Sequence, residues 1–228
     1  MKKSFIVIGF GRFGQSITQT LMSLGHEVMV IDQTEEKVSR ASNIATQAIQ
    51  MDSTDETALK EVGVANFDEA IVAIGSDILA SILTTLLLKG LGVAKITAKA
   101  NNDYHSKILE KIGADRIVHP ERDMGIRMAH HLVSGNVIDF MELTSEYSLV
   151  EIATSSQMIG KNLEELAIRA KYECTVIAIK KEGVQAINIF PQGRDVIQKG
   201  DLFVLIGRTK SISLLEESLL VEAKRAPK

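Results

Sequence analysis

Gly9, Gly11 and Gly14 stand at the spacing G-x-G-x-x-G, with Arg12 and Phe13 inside the run and Asp32 about twenty residues from its start. The chemistry open to this set is recognition of a phosphorylated ribose ligand. Gly9 would permit a tight turn, Gly11 would let the backbone approach a phosphate, and Gly14 would let the following helix pack close to its strand. The helix N-terminus would offer unpaired N–H groups to the anion. A guanidinium at Arg12 can clamp a terminal phosphate bidentately, the alternative being a solvent-facing arginine at a helix start. The Asp32 carboxylate can accept hydrogen bonds from ribose hydroxyls. A 2′-phosphate there would meet its negative charge, which disfavours NADP and leaves adenosine nucleotides or NAD. The competing possibility is a Rossmann-shaped domain whose site is empty.

The elements around these residues fit that use. Phe5 to Ile8 is a short apolar run that predicts a buried strand, and Ile17, Leu21 and Leu24 then share a helical face. Glu27 to Ile31 reads as a second strand delivering Asp32 at its carboxyl end. Thr34-Glu35-Glu36 opens a helix reaching about Ala45, and Gln47 to Met51 forms a third strand closed by Asp52. Ser53 with Glu56 has capping-box spacing, with Ser53 as N-cap. Asp52 and Ser53 therefore stand either as ligand neighbours on the carboxyl edge or as plain helix caps. Ala70 to Gly75, Lys95 to Ala100 and Arg116 to His119 complete six strands, with Lys99 near the exit of the fifth. Helices are expected from Asp77, from Tyr104 to Ile112, and from Pro120. Strict alternation of this kind predicts a doubly wound parallel sheet.

The rhythm changes near Ser134-Gly135-Asn136. Ser148 to Ala153, Cys174 to Lys180, Ala186 to Phe190 and Leu202 to Gly207 read as strands, with turns at Glu182-Gly183, Gln192-Gly193 and Lys199-Gly200-Asp201. One helix opens after Asn162, which has capping spacing to Glu165, and another runs from Lys210 to Leu220. The expected division is a nucleotide-binding domain at 1–134, a linker at 135–144, a small α+β domain at 145–221 and a basic tail at 222–228.

A net charge of -3 with 24% charged residues makes no case for nucleic acid or an anionic membrane surface. Met1-Lys2-Lys3 runs straight into the first strand, so no signal peptide is expected. Ile78 to Leu88 is 11 residues interrupted by Ser81, Thr84 and Thr85, against the roughly 20 apolar residues of a membrane span. It reads as a helix buried on several sides, or as a subunit interface. Cys174, the single cysteine, reads as a buried strand residue, and a cytoplasmic location is the default.

No catalytic constellation emerges. His26, His105, His119, His130 and His131 show no zinc spacing, and no HExxH, CxxC or G-x-S-x-G occurs. These histidines are expected at the surface or at helix caps. Binding without turnover is the better reading. The alternative is an NAD-dependent dehydrogenase or reductase, which would need an acid or base beside the nicotinamide.

Several stretches resemble a known family: Gly9 to Gly14, Val72-Ala73-Ile74-Gly75, Ile82 to Lys89, and Lys111 to Gly125 with its His119-Pro120-Glu121. They are similar to the cytosolic RCK or Trk/Ktr-type regulators of bacterial potassium uptake, closest to the KtrA/KtrC type of Gram-positive bacteria. The resemblance covers the whole chain, as an RCK N-terminal (TrkA-N) domain followed by an RCK C-terminal (TrkA-C) domain. It implies homodimers assembled into an octameric ring beneath a membrane potassium transporter, with ATP favouring the conducting arrangement and ADP the inactive one. Arg12 would then reach the γ-phosphate. By the same resemblance Glu121 would help hold a divalent cation, Mg or Ca, beside ATP. Asp32 keeps its ribose role, while Asp52, Ser53 and Lys99 become adenosine or phosphate neighbours. The resemblance also implies inhibition by cyclic di-AMP at the C-terminal domain, through Ile168, Arg169, Ala170 and Pro191. Read without it, these four are a dimer core and a turn.

Overall fold

Phe5, Ile6, Val7 and Ile8 have apolar side chains pointing to both faces of a strand, which only a central, doubly covered position can bury. In the computed structural model, which describes residues 2–133, 137–182 and 187–225, that strand is β1 (Ser4–Ile8). It pairs in parallel with β2 (Glu27–Asp32) on one side and β4 (Glu69–Val72) on the other. The sheet continues to β3 (Gln47–Gln50) beyond β2, and to β5 (Ile96–Lys99) and β6 (Arg116–Val118) beyond β4. The order β3-β2-β1-β4-β5-β6 reverses direction between β1 and β4, so the carboxyl ends of those two strands flank a crevice.

The crossovers are α1 (Arg12–Ser23), α2 (Glu35–Ser42), α3 (Glu56–Val62), α4 (Ile78–Gly90) and α5 (Asp103–Lys111), with α6 (Pro120–Val133) after β6. One face of the sheet is packed around Val7, Phe10, Val28 and Val30, the other around Ile6, Ile8, Leu88 and Ile96. Six parallel strands alternating with helices match the expectation. Two details differ. Leu24 is 66% exposed and caps α1 instead of joining its inner face. Ser53 does not cap α3: Asp55 does, accepting from the N–H groups of Thr57 and Ala58.

Helix α4 turns the usual pattern inside out. Ser81, Thr84 and Thr85 are wholly buried, whereas Leu79, Leu83 and Leu86 are exposed. Small hydroxyl side chains let α4 approach the rest of the domain closely and satisfy two of the three polar groups internally. Thr85 Oγ1 donates to the Ser81 carbonyl at 2.8 Å, and Thr84 Oγ1 pairs with Ser53 Oγ at 2.8 Å. The expected helix buried on several sides is therefore a helix with one apolar face turned outward.

The chain divides into Met1–Glu121 and Arg122–Lys228. The second unit contains an antiparallel sheet of order β10-β9-β11-β8-β7, from β7 (Val137–Glu142), β8 (Tyr147–Ala153), β9 (Thr175–Lys180), β10 (Ile187–Ile189) and β11 (Leu202–Arg208). Helices α7 (Leu163–Leu166), α8 (Ile168–Tyr172) and α9 (Thr209–Arg225) belong to the same unit. Its core gathers Val150, Ile152, Ile168, Ile179, Phe203 and Leu215. The capping box of Asn162 and Glu165 is present as expected. The expected linker is corrected, because Val137–Glu142 is a strand hydrogen-bonded to β8. The expected end of the last helix is also corrected, since α9 runs on to Arg225 through most of the presumed tail. The turn at Gly183, the strand start at Ala186 and the break at Ser134-Gly135-Asn136 lie outside the described residues.

Candidate functional site

The glycine loop leaves β1 at Gly9, whose φ of +98° places it in the left-handed region. A Cβ there would sit 3.1 Å from the backbone of Ala73 and Ile74, so side chain and conformation are both excluded. At Gly14 a Cβ would come within 2.0 Å of the Gly9 carbonyl oxygen. Gly14 thus does the packing job read from the sequence and does not line the cleft. Gly11 differs from both: a Cβ would meet nothing within 4 Å, so its backbone faces open space on the cleft. No side chain caps α1, and its first residues, Arg12 and Phe13, border this space. Phe10 is fully buried and anchors the loop from beneath.

Asp32 braces the loop from the neighbouring strand. Its carboxylate accepts from the Phe10 N–H at 2.7 Å and the Thr34 N–H at 2.9 Å, with the Lys37 ammonium at 3.4 Å. Burial works against its charge, but these bonds and Lys37 outweigh it and hold the pKa below the usual carboxylate value. Asp32 keeps lone pairs on the cleft, where ribose hydroxyls could donate.

The cleft, about 280 Å³, is lined by Gly9, Gly11, Arg12, Phe13, Asp32, Asp52, Ser53, Lys99 and Glu121. All of these were candidates from the sequence, and they come from five different strand ends. Ser53 is spoken for by its hydroxyl pair with Thr84. The Asp52 carboxylate accepts from the Thr54 N–H and hydroxyl, which lowers its pKa. Lys99, 8% exposed, reaches the Glu121 carboxylate on the first turn of α6. That hydrogen bond is the main cause of the lowered pKa of Glu121, and the Arg12 charge acts in the same direction. Among the described residues no group of three or more His, Cys, Asp or Glu could hold a metal ion alone. Glu121 could therefore act on a cation only together with ligand oxygens or another copy.

Sequence reading missed Lys37 and the run Gly75, Ser76 and Asp77, which also line the cleft. A glycine and two polar residues directly after the β4 run was the available signal. Lys37, one turn into α2, gave none. The histidine expectation needs one correction: His105 is buried, accepting from the Asn101 N–H through Nδ1 at 3.3 Å, because α5 packs it beneath the loop after β5. The side chains of His130 and His131 lie outside the described residues.

In the second unit Ile168 is 3% exposed and belongs to the core, while Arg169 and Ala170, the next residues of α8, are exposed. Ile168 borders a small cavity of about 80 Å³ that Arg169, Ala170 and Pro191 do not line. Among the described residues these four therefore do not line that cavity together. Cys174 is buried against Gly207, and its thiol pKa is pushed up to about 11 by burial and by Glu173. That suits packing and not nucleophilic chemistry.

Comparison with known proteins matches the TrkA-N domain to residues 5–120 and the TrkA-C domain to residues 147–220. The chain is 53% identical over 220 residues to Ktr system potassium uptake protein C of Bacillus subtilis, covering 96% of this chain and 99% of that protein. It is 47% identical over 214 residues to Ktr system potassium uptake protein A of the same organism, with 94% and 96% covered. Among solved structures it resembles the GsuK RCK domain at a TM-score of 0.67 and 18% identity. That match covers all of this chain and 49% of the other, so the chain spans about half of that protein's length. It also resembles the GsuK channel bound to NAD at a TM-score of 0.66 and 18% identity, covering 100% of this chain and 40% of that one. At that identity the structural likeness establishes the fold. Taken with the relatives that match along nearly their whole length, the glycine loop and the two matched domains make this chain a member of the Ktr potassium uptake protein family.

Proposed function

We propose that the chain is a nucleotide-sensing, non-catalytic regulatory subunit of a bacterial potassium uptake system, held at the inner face of the membrane by a transporter partner. ATP favours the conducting arrangement of an octameric ring of these chains and ADP the inactive one. One observation carries this reading: two cationic side chains, Arg12 and Lys99, share a cleft with Asp32 and an uncapped helix N-terminus. Asp32 suits the ribose, the Gly11 backbone suits the first phosphates, and Arg12 suits a terminal phosphate. The relatives named for potassium uptake supply the physiological context. No helix of the described residues is long and apolar enough to cross a membrane, so a separate membrane subunit would conduct the ion.

A ligand one phosphate longer changes geometry only if something binds that phosphate selectively. Arg12 is the residue suited to do so. Glu121 would hold Mg or Ca jointly with phosphate oxygens, the cation supplying charge neutralisation between carboxylate and triphosphate. Cyclic di-AMP at Ile168, Arg169, Ala170 and Pro191 would draw on a second copy to complete its site, since only Ile168 of the four borders the small cavity beside α8.

Calorimetric titration tests the central claim. Arg12→Ala is expected to weaken ATP binding about tenfold or more, the scale of a charged hydrogen bond, with a smaller effect on ADP. Small-angle scattering should give different particle shapes with ATP and with ADP. The dehydrogenase reading draws on the same Asp32, which would serve an NAD ribose equally well. NADH binding far more tightly than ATP, with ATP affinity indifferent to Arg12→Ala, would favour it and end the gating proposal.

A further inference from the structure

The Lys99 ammonium occupies an unusual position. It lies at the end of β5, almost buried, and contacts the Glu121 carboxylate at 2.5 Å. Its path runs across Gly75, where a Cβ would sit 3.2 Å from Nζ and 3.7 Å from Cε. Glu121 itself is largely in solvent, with a side-chain exposure of 66% against 11% for Lys99. Both residues border the cleft whose floor is the Gly11 backbone and whose rim carries Arg12. Of the three cations that border the cleft, Lys99 thus faces Glu121 and Lys37 faces Asp32, while Arg12 stands on the phosphate side.

The geometry points to a partner exchange. Lys99 is bound to Glu121 when the cleft is empty and transfers to a phosphate oxygen when a nucleotide enters, releasing Glu121. This deepens the nucleotide-sensing reading and rests on it. The physical reason is charge arithmetic. A triphosphate draws on Arg12 and Lys99 together, and it cannot lie beside an unneutralised carboxylate without repulsion. Once Lys99 turns to the phosphate, Glu121 is left uncompensated next to the ligand. A divalent cation then finds a vacated carboxylate and phosphate oxygens together. Lys99 thereby acts as a stand-in for that cation: it keeps Glu121 neutralised in the empty site and yields it on binding. Cation affinity is coupled to nucleotide affinity without any conformational lid. Gly75 is the backbone position that leaves Lys99 room for this.

A double-mutant cycle on ATP binding isolates the exchange. The full-length chain and the variants Glu121→Gln, Lys99→Met and the double substitution are titrated calorimetrically with ATP, in EDTA and again in magnesium. If Lys99 must abandon Glu121, Glu121→Gln tightens ATP binding in EDTA by about tenfold. In the Lys99→Met background the same change yields much less. Magnesium then tightens binding to the parent and adds little to Glu121→Gln. Equal tightening by Glu121→Gln in both backgrounds would mean plain carboxylate repulsion with no exchange, and would overturn the proposal. So would a cycle in which Glu121→Gln leaves ATP affinity in EDTA unchanged. Thermal melts of the four proteins without ligand report whether any variant fails to fold, and Lys99→Gln replaces Lys99→Met in that event. A parent chain that binds ATP in neither condition would instead remove the nucleotide reading itself, and this inference with it.

Discussion

His105 is enclosed near the start of α5, its Nδ1 accepting the Asn101 N–H while Nε2 has no hydrogen-bond partner. Burial, with repulsion from His119, holds its pKa below the ordinary value of 6.5. The sign follows from linkage. Above about pH 6.5 the ring is neutral in both folded and unfolded chains and costs nothing. As pH falls below that, the unfolded chain takes up a proton that the folded chain resists, so stability is lost down to the depressed folded pKa. The melting temperature should begin to drop as pH falls through about 6.5. His105→Asn, which keeps an acceptor near the Nδ1 position, should flatten that dependence. Equal pH slopes for parent and variant would show that another group is responsible. Asn101 follows Lys99 by two positions and hydrogen-bonds the Gly75 carbonyl, so acid conditions should also weaken the cleft wall. None of this was legible at the residue level, because a histidine beside a cap residue looks the same whether α5 is packed or open.

The elements themselves were largely legible, and the reasons are local. Parallel strands buried on both faces give unbroken apolar runs such as Phe5 to Ile8, and glycines or acids stop them cleanly. The cap of α3 was not decidable this way. Ser53 with Glu56 and Asp55 with the following N–H groups both satisfy the local rule, and the choice falls to Thr84, which claims the Ser53 hydroxyl from across the domain. Asp55→Ala is accordingly expected to cost about 1 kcal/mol, the usual value of an N-cap, read as a lowered melting temperature. Ser53→Ala leaves that cap intact and removes the hydroxyl pair, a loss of about 1 kcal/mol, because Thr84 Oγ1 retains the Ser53 carbonyl at 3.3 Å as an acceptor. Similar melts for Ser53→Ala and the parent would show that the hydroxyl pair contributes nothing. Strand β7 escaped notice for a different reason. Its pairing with β8 shifts register between Val137 and Asp139, which breaks the alternation by which a half-buried strand is recognised.

At the scale of the whole molecule the outward face of α4 dominates. Leu79, Leu83 and Leu86 repeat at helical spacing with exposures of 66%, 39% and 49%, and α5 adds the exposed Tyr104 and Ile108. Full burial of a leucine is worth about 1.5–3 kcal/mol, so this face can drive association between copies. Leu83→Glu should shift the particle mass measured by light scattering toward smaller species, while the ATP affinity proposed for the cleft should survive. An unchanged mass would assign assembly to another surface. The sequence left a subunit interface open for this segment but not which face would form it, since serines and threonines in an apolar helix read equally well as its wet side. The brace of Asp32 on the Phe10 N–H has a kinetic counterpart for such an assembly. A loop already tied down has no folding step to complete before it receives its ligand, so occupancy should track the surrounding nucleotide pool within the lifetime of a single bound molecule. A nucleotide sensor of the kind proposed above, built this way, would report the present state of the cell and store no record of the past one.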